Sequence, residues 1–142
     1  MICEMAGYSE TPLAKKLGIK EDFRIALVNA PKDFRKQLGV LPANVQIVTR
    51  LLKPLDVIVL FAAAEKTLSK DFQSLAKKLS SKGMIWIAWP KKSSGVMTDL
   101  SFERVQRIGL QSGLVDVKIC AVDETWSGLK FMYRLKDRAA LI

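Results

Sequence analysis

A chain of 142 residues with 49% apolar and 26% charged side chains has the length and composition of one globular domain built on a single core. It has no histidine and two cysteines, which excludes imidazole acid–base work, histidine-activated nucleophiles, histidine-bearing zinc sites and a four-cysteine zinc site. The net charge of +9 admits nucleic acid or another acidic partner, yet the basic residues are scattered from Lys15 and Lys16 to Arg104 and Arg107, on what should be solvated helix faces.

No apolar run approaches the roughly 18–20 residues of a membrane span. The opening MICEMAGYSE lacks the basic region and long apolar segment of a secretory signal. A cytoplasmic chain is therefore expected, with Cys3 and Cys120 reduced and Cys120 serving as a small strand residue.

In chain order, SETPLAKKLGIK predicts a short helix, capped by Ser9 or Thr11, with Pro12 in its first turn, Gly18 at its end, and Leu13 and Leu17 facing inward. FRIALVNAP predicts a central strand, because Ile25 to Val28 are apolar on both pleat faces. PKDFRKQLG predicts a short helix burying Phe34 and Leu38 and stopping at Gly39. VQIVTRL and LDVIVLFAA predict two further strands, joined through Pro54 by fewer residues than the dozen or so of a usual parallel crossover. Either the first of them is short, peripheral and parallel, with the chain crossing in extended form, or the pair is antiparallel; the first reading is preferred.

EKTLSKDFQSLAKKLSSKG predicts the longest helix, with Leu68, Phe72, Leu75 and Leu79 on one face and Gly83 marking its end. MIWIAW predicts a fully buried strand, and SFERVQRIGLQSG a helix with Phe102, Val105, Ile108 and Gly109 inward. LVDVKICAV alternates Val115, Val117, Ile119 and Ala121 against Asp116, Lys118 and Cys120, a strand with one more polar face. DETWSG is too short for a crossover helix, so LKFMYRL should return as an antiparallel hairpin, with Leu129, Phe131, Tyr133 and Leu135 on one face.

The expected fold class is α/β: a Rossmann-like three-layer sandwich, one domain over residues 1–142, with an N-terminal arm and short helix over residues 1–22. Its mostly parallel sheet has about six strands and ends in an antiparallel hairpin. From Leu55 to Leu135 the order of strand, helix ending KG, strand, helix ending SGL and hairpin resembles class I methyltransferases in architecture.

Ligands of such sheets bind outside the carboxyl ends of the strands. Three loops should open there: NAPKD, PKKSSGVMTD and DETWSG. The turn Asn29-Ala30-Pro31 has no glycine, and VTRL presents Thr49 and Arg50 where an acidic residue would bind ribose, so the usual S-adenosylmethionine or NAD mode is not expected and no cofactor is assigned. Lys91 and Lys92 offer charge, Ser93 and Ser94 hydroxyls, Gly95 close backbone approach, and Thr98 or Asp99 a cap for the next helix. Together they suit a phosphate or carboxylate. Asn29, Asp123, Glu124 and Trp126 would complete the pocket, Trp126 by stacking on a ring. The alternative for each loop is a plain turn and helix cap with solvated lysines.

WPKKSSGVMTDL, GLVDVKICAVDETWSGLKF and AGYSETPLAKKLGI resemble a bacterial family designated domain of unknown function 3052, over nearly the whole chain apart from the leading MICEM. The resemblance implies a small cytoplasmic single-domain protein and supplies no catalytic residue. The first functional expectation is a domain binding a small anionic ligand or a partner protein. The second is an enzyme on a nucleotide-like or phosphorylated substrate, with Asp99, Asp123 or Glu124 as base. Non-specific nucleic-acid binding ranks below both, and a homo-oligomer could form through the edge of LKFMYRL unless Lys130, Arg134 and Lys136 guard it.

Overall fold

The computed structural model describes residues 11–139. Helix α1 (Leu13–Lys16) leads into strand β1 (Arg24–Val28), helix α2 (Phe34–Leu38), strand β2 (Gln46–Ile47) and strand β3 (Leu55–Phe61). Helix α3 (Glu65–Ala76), strand β4 (Leu79–Pro90), helix α4 (Phe102–Gln111), strands β5 (Leu114–Ala121) and β6 (Trp126–Tyr133) and helix α5 (Leu135–Arg138) follow.

The six strands form one sheet in the order β2-β1-β3-β4-β6-β5. Strands β2, β1, β3 and β4 run parallel, and β6 is antiparallel to both its neighbours. This is the expected Rossmann-like arrangement with its terminal hairpin. Strand β2 is short, peripheral and parallel to β1, as preferred from the sequence.

Alternation along β3 and β4 sends side chains to two cores. Ile58, Leu60, Ile85 and Ile87 meet Leu68, Phe72, Val105 and Ile108 of α3 and α4. Val57, Val59, Trp86 and Ala88 meet Ala14, Leu17, Phe34 and Leu38 from the α1 and α2 side. Trp86 is fully buried, and its indole N–H donates to the Leu17 carbonyl oxygen at 2.9 Å, fastening α1 to the centre of the sheet. An unpaired indole N–H in this position would carry the full desolvation cost.

Three expectations need correction. Helix α3 ends at Ala76, and Leu79 opens β4 opposite Leu55 instead of extending the helical stripe to Gly83. The helix end is captured by the sheet: the Leu55 N–H donates to the Lys78 carbonyl at 2.8 Å, and Gly83 lies where a Cβ would approach the Leu55 carbonyl oxygen to 2.8 Å.

Cys120 is buried with Val122 on the α1/α2 side, while Val117 is 48% exposed. The pairing of β5 with β6 shifts register between Asp116 and Lys118, so the strict alternation read through β5 breaks at Val117. Leu135 is 78% exposed at the start of α5 and does not continue the inner face of β6. At the N-terminus α1 has no side-chain cap bond; Ser9, with Cys3, lies outside the described residues.

Strand β6 is hydrogen-bonded on both edges, by β4 and by β5, so a second copy has no open edge there. The sheet edges belong to β2 and β5. No helix among the described residues is long and apolar enough to cross a membrane.

Gly109 lets α4 sit directly on β6, because a Cβ there would fall 2.0 Å from the Phe131 ring. Gly109→Ala should therefore destabilise by roughly 1–3 kcal/mol through overpacking, even though alanine favours a helix by about 1 kcal/mol. Urea unfolding of the variant checks it, with a lowered midpoint expected. Tyr133 donates its hydroxyl to the Ala76 carbonyl at 2.6 Å, and burial raises its pKa above the usual value of about 10. The stabilisation from this group is complete below about pH 10 and is lost as pH rises through the higher folded value. Tyr133→Phe should abolish that alkaline component in unfolding curves measured between neutral and alkaline pH.

Candidate functional site

The connection leaving β1 passes to the α1/α2 side, whereas the one leaving its parallel neighbour β2 passes to the α3 side, where Val48 and Leu51 pack. Neighbouring parallel strands whose chains depart over opposite faces open a crevice at their carboxyl ends. A cleft of about 480 Å³ lies at that edge, between the ends of β1 and β2. Its apolar lining comes from Leu27, Val28, Ile47, Val48 and Leu51, its polar groups from Asn29 and Thr49, and its positive charge from Lys32 and Arg35.

Asn29 turns the chain out of β1 with φ 58°. This is the left-handed conformation that usually falls to glycine and that asparagine tolerates better than other residues. The glycine missing from the NAP turn is thus replaced in conformation, though not in smallness. Pro31 lacks an N–H, but its carbonyl accepts from Phe34 N–H at 3.0 Å and starts α2, which carries Arg35 past the cleft.

The other expected site residues share this edge of the sheet. Lys91 N–H donates to the Thr125 carbonyl at 2.8 Å, and Pro90 pairs with Trp126, so the loop after β4 and the β5–β6 turn meet. From there Trp126 stands edge-on to Phe61 at 5.0 Å, and Phe61 edge-on to Phe34 at 4.8 Å. A row of rings therefore joins this turn to α2, and Trp126 acts as packing along that row.

Most of the loop polar groups are tied into local structure. Residues 92–94 form a 3-10 turn closed by Gly95 at φ 77°. Ser94 Oγ donates to the Lys91 carbonyl and accepts from Val96 N–H, while Ser93 is exposed. Thr98 Oγ1 donates to the Ala63 carbonyl at 2.6 Å and accepts from Leu100 N–H. Asp99 Oδ1 accepts from Glu65 N–H at 2.8 Å. This corrects one expectation: Asp99 satisfies the start of α3, and Ser101 is the side-chain cap of α4, accepting from Arg104 N–H.

Asp123 Oδ1 accepts from the N–H groups of Thr125 and Trp126, both at 2.8 Å, which fixes the β5–β6 turn. Glu124 is exposed beside it. Lys91 and Lys92 flank a second, smaller groove of about 340 Å³ with Phe102, Glu103, Ile119 and Ser127. Asn29 thus belongs to the β1 cleft and the two lysines to another.

Sequence reasoning missed Arg35, Lys32 and the apolar lining of the cleft. In the sequence Lys32 and Arg35 belong to the scattered charges of solvated helix faces, and only the position of α2 shows what they flank. The available signal is Thr49, just past the end of β2, where the sequence lacks a ribose-binding carboxylate.

No protein-family model and no curated protein matches this chain. Solved structures do resemble it. A SAM-dependent methyltransferase from Aquifex aeolicus superposes with a TM-score of 0.58 at 15% identity, over 86% of this chain and 88% of that one. Aeropyrum pernix fibrillarin with natively bound S-adenosyl-L-methionine gives 0.56 at 14% identity, over 89% and 70%. Precorrin-6y C5,15-methyltransferase from Geobacter metallireducens gives 0.55 at 10%, over 92% and 94%. The fold is that of these Rossmann-like methyltransferases.

Removing the Asp99 carboxylate leaves the Glu65 N–H without its side-chain partner. Asp99→Ala should cost about 1 kcal/mol, the usual worth of a helix-start acceptor, and Asp99→Asn should recover most of it. Chemical denaturation of the two variants side by side reads the difference.

Proposed function

We propose that this chain binds a small organic anion at the carboxyl edge of its sheet, with a flat apolar part in the β1 cleft and a phosphate or carboxylate toward Lys32 and Arg35. The observation that carries this reading is the cleft lining: apolar residues of β1 and β2, Asn29 and Thr49 as hydrogen-bonding groups, and the two cations Lys32 and Arg35. A guanidinium beside an ammonium suits an oxyanion, the former by forked hydrogen bonds and the latter as a mobile charge. Lys91 and Lys92 add positive potential from the neighbouring groove.

The ligand is held without the glycine-turn and ribose-carboxylate mode of S-adenosylmethionine or NAD. Pro31 stands in the first turn and Thr49 with Arg50 just past the end of β2, an arrangement that favours an anion over a ribose hydroxyl pair at that end. Binding is preferred to catalysis because no carboxylate lines the cleft among the described residues, while Asp99 and Asp123 accept backbone N–H bonds elsewhere. A second reading, S-adenosylmethionine binding and methyl transfer, is favoured by the structural neighbours named for that cofactor and by the glycine-like φ of Asn29.

A thermal-shift comparison of adenosine monophosphate with S-adenosylmethionine separates the two. A ligand at one hundred times its Kd adds about 2.7 kcal/mol to the native state. The anion reading expects the monophosphate to raise Tm and the Lys32→Ala/Arg35→Ala variant to lose the rise. A rise with S-adenosylmethionine alone, retained in the variant, would replace it with the second reading.

A further inference from the structure

The chain from β2 to β3 crosses the α3 side of the sheet as an extended segment, with Leu51 packed against the core. An extended segment covers less of the sheet than a helix would, and it leaves one flank of α3 open. The resulting groove has a volume of about 580 Å³. Lys53 lines it from the crossing segment, and Lys70, Gln73, Ser74, Lys77 and Lys78 line it from α3 and its end.

The spacing of Lys70, Gln73, Ser74 and Lys77 puts them on a single helical face. Proximity to the carboxyl end of α3 accounts for Lys77 and Lys78, since cations are favoured there. It does not account for Lys70, about two turns before Lys77, or for Lys53, which reaches the groove from the crossing segment. No carboxylate lines the groove, and none of these four lysines forms an ion pair among the described residues. Four like charges gathered around one concavity repel one another, so the arrangement is most stable with a counter-anion between them.

We propose that this groove is a binding site for a small anion carrying a chain of phosphate groups. Ammonium groups are compact, rotatable donors that follow the oxygens of consecutive phosphates without requiring one fixed plane. Gln73 and Ser74 add neutral donors between them. No aromatic side chain lines the groove, so the stacking platform of a single-strand nucleic-acid surface is missing, which favours a phosphate chain over a polynucleotide. The groove and the β1 cleft have separate cations, and this proposal stands whether or not that cleft binds a ligand.

The test is calorimetric titration of the intact protein with inorganic tripolyphosphate and, separately, with orthophosphate and a single-stranded oligonucleotide. Tripolyphosphate should bind more tightly than orthophosphate, and Lys53→Ala/Lys70→Ala should weaken it by about tenfold or more through lost charge-assisted bonds. The charge-matched control Lys20→Ala/Lys82→Ala should leave it nearly unchanged, since both residues are exposed and outside the groove. Ligand-free melting temperatures of both variants report that each still folds. Equal weakening by the two variants would reduce the effect to net charge and overturn the proposal. So would an absence of tripolyphosphate binding, or binding of the oligonucleotide alone.

Discussion

The short connection between β2 and β3 is the constraint on which both surface openings depend. Between Ile47 and Leu55 there is no room for a crossover helix, which with its turns takes about a dozen residues. The chain must cross the sheet extended, pinned by Val48 and Leu51 against the core. One consequence appears at the carboxyl end of β1, where the two-residue β2 gives a low wall and leaves a cleft. The other appears beside α3, where the thin crossing leaves the lysine groove. Both openings follow from the same shortage of chain.

Elsewhere the fold is closed tightly. Strands β3 and β4 are buried on both faces, as parallel central strands require, and each face receives its own helices. The fixed points are few and specific: the Trp86 indole on the Leu17 carbonyl, the Tyr133 hydroxyl on the Ala76 carbonyl, and Gly109 against Phe131. The first two satisfy polar groups carried on large rings, and the last removes a side chain where helix and strand must touch. By contrast, Arg104 and Arg107 pair with Glu65 at 3.0 and 3.6 Å across partly exposed surface, where ion pairs contribute little. The rigidity needed to hold an open edge comes from the core.

The loop richest in apparent ligand groups is largely occupied with holding itself and α3 in place. Serine, threonine and aspartate are the residues that bind anions at loops and also the residues that satisfy loop backbone, and composition alone does not separate the two roles. Thr98 and Asp99 reach backward to Ala63 and Glu65, tying the loop after β4 to the loop after β3. Their contribution to any site is positional. The β1 cleft has a plainer sequence and a larger volume, about 480 Å³ against about 340 Å³.

Sequence periodicity determined the element order, the parallel body of the sheet, the returning hairpin and the inward faces of α3 and α4. These depend on local spacing of apolar residues, and local spacing is written directly in the chain. The sequence also placed three loops on one edge, since strand direction decides which end a loop leaves from. It did not place Leu79 in β4 or Cys120 in the core. The end of α3 was decided by its hydrogen bond to Leu55, and the burial of Cys120 by the packing of the α1/α2 side over its face of β5. Nor did it show that Lys32 and Arg35 line one cleft while Lys53 and Lys70 line another. Those meetings join residues on separate elements, and only the packing of whole elements sets such distances.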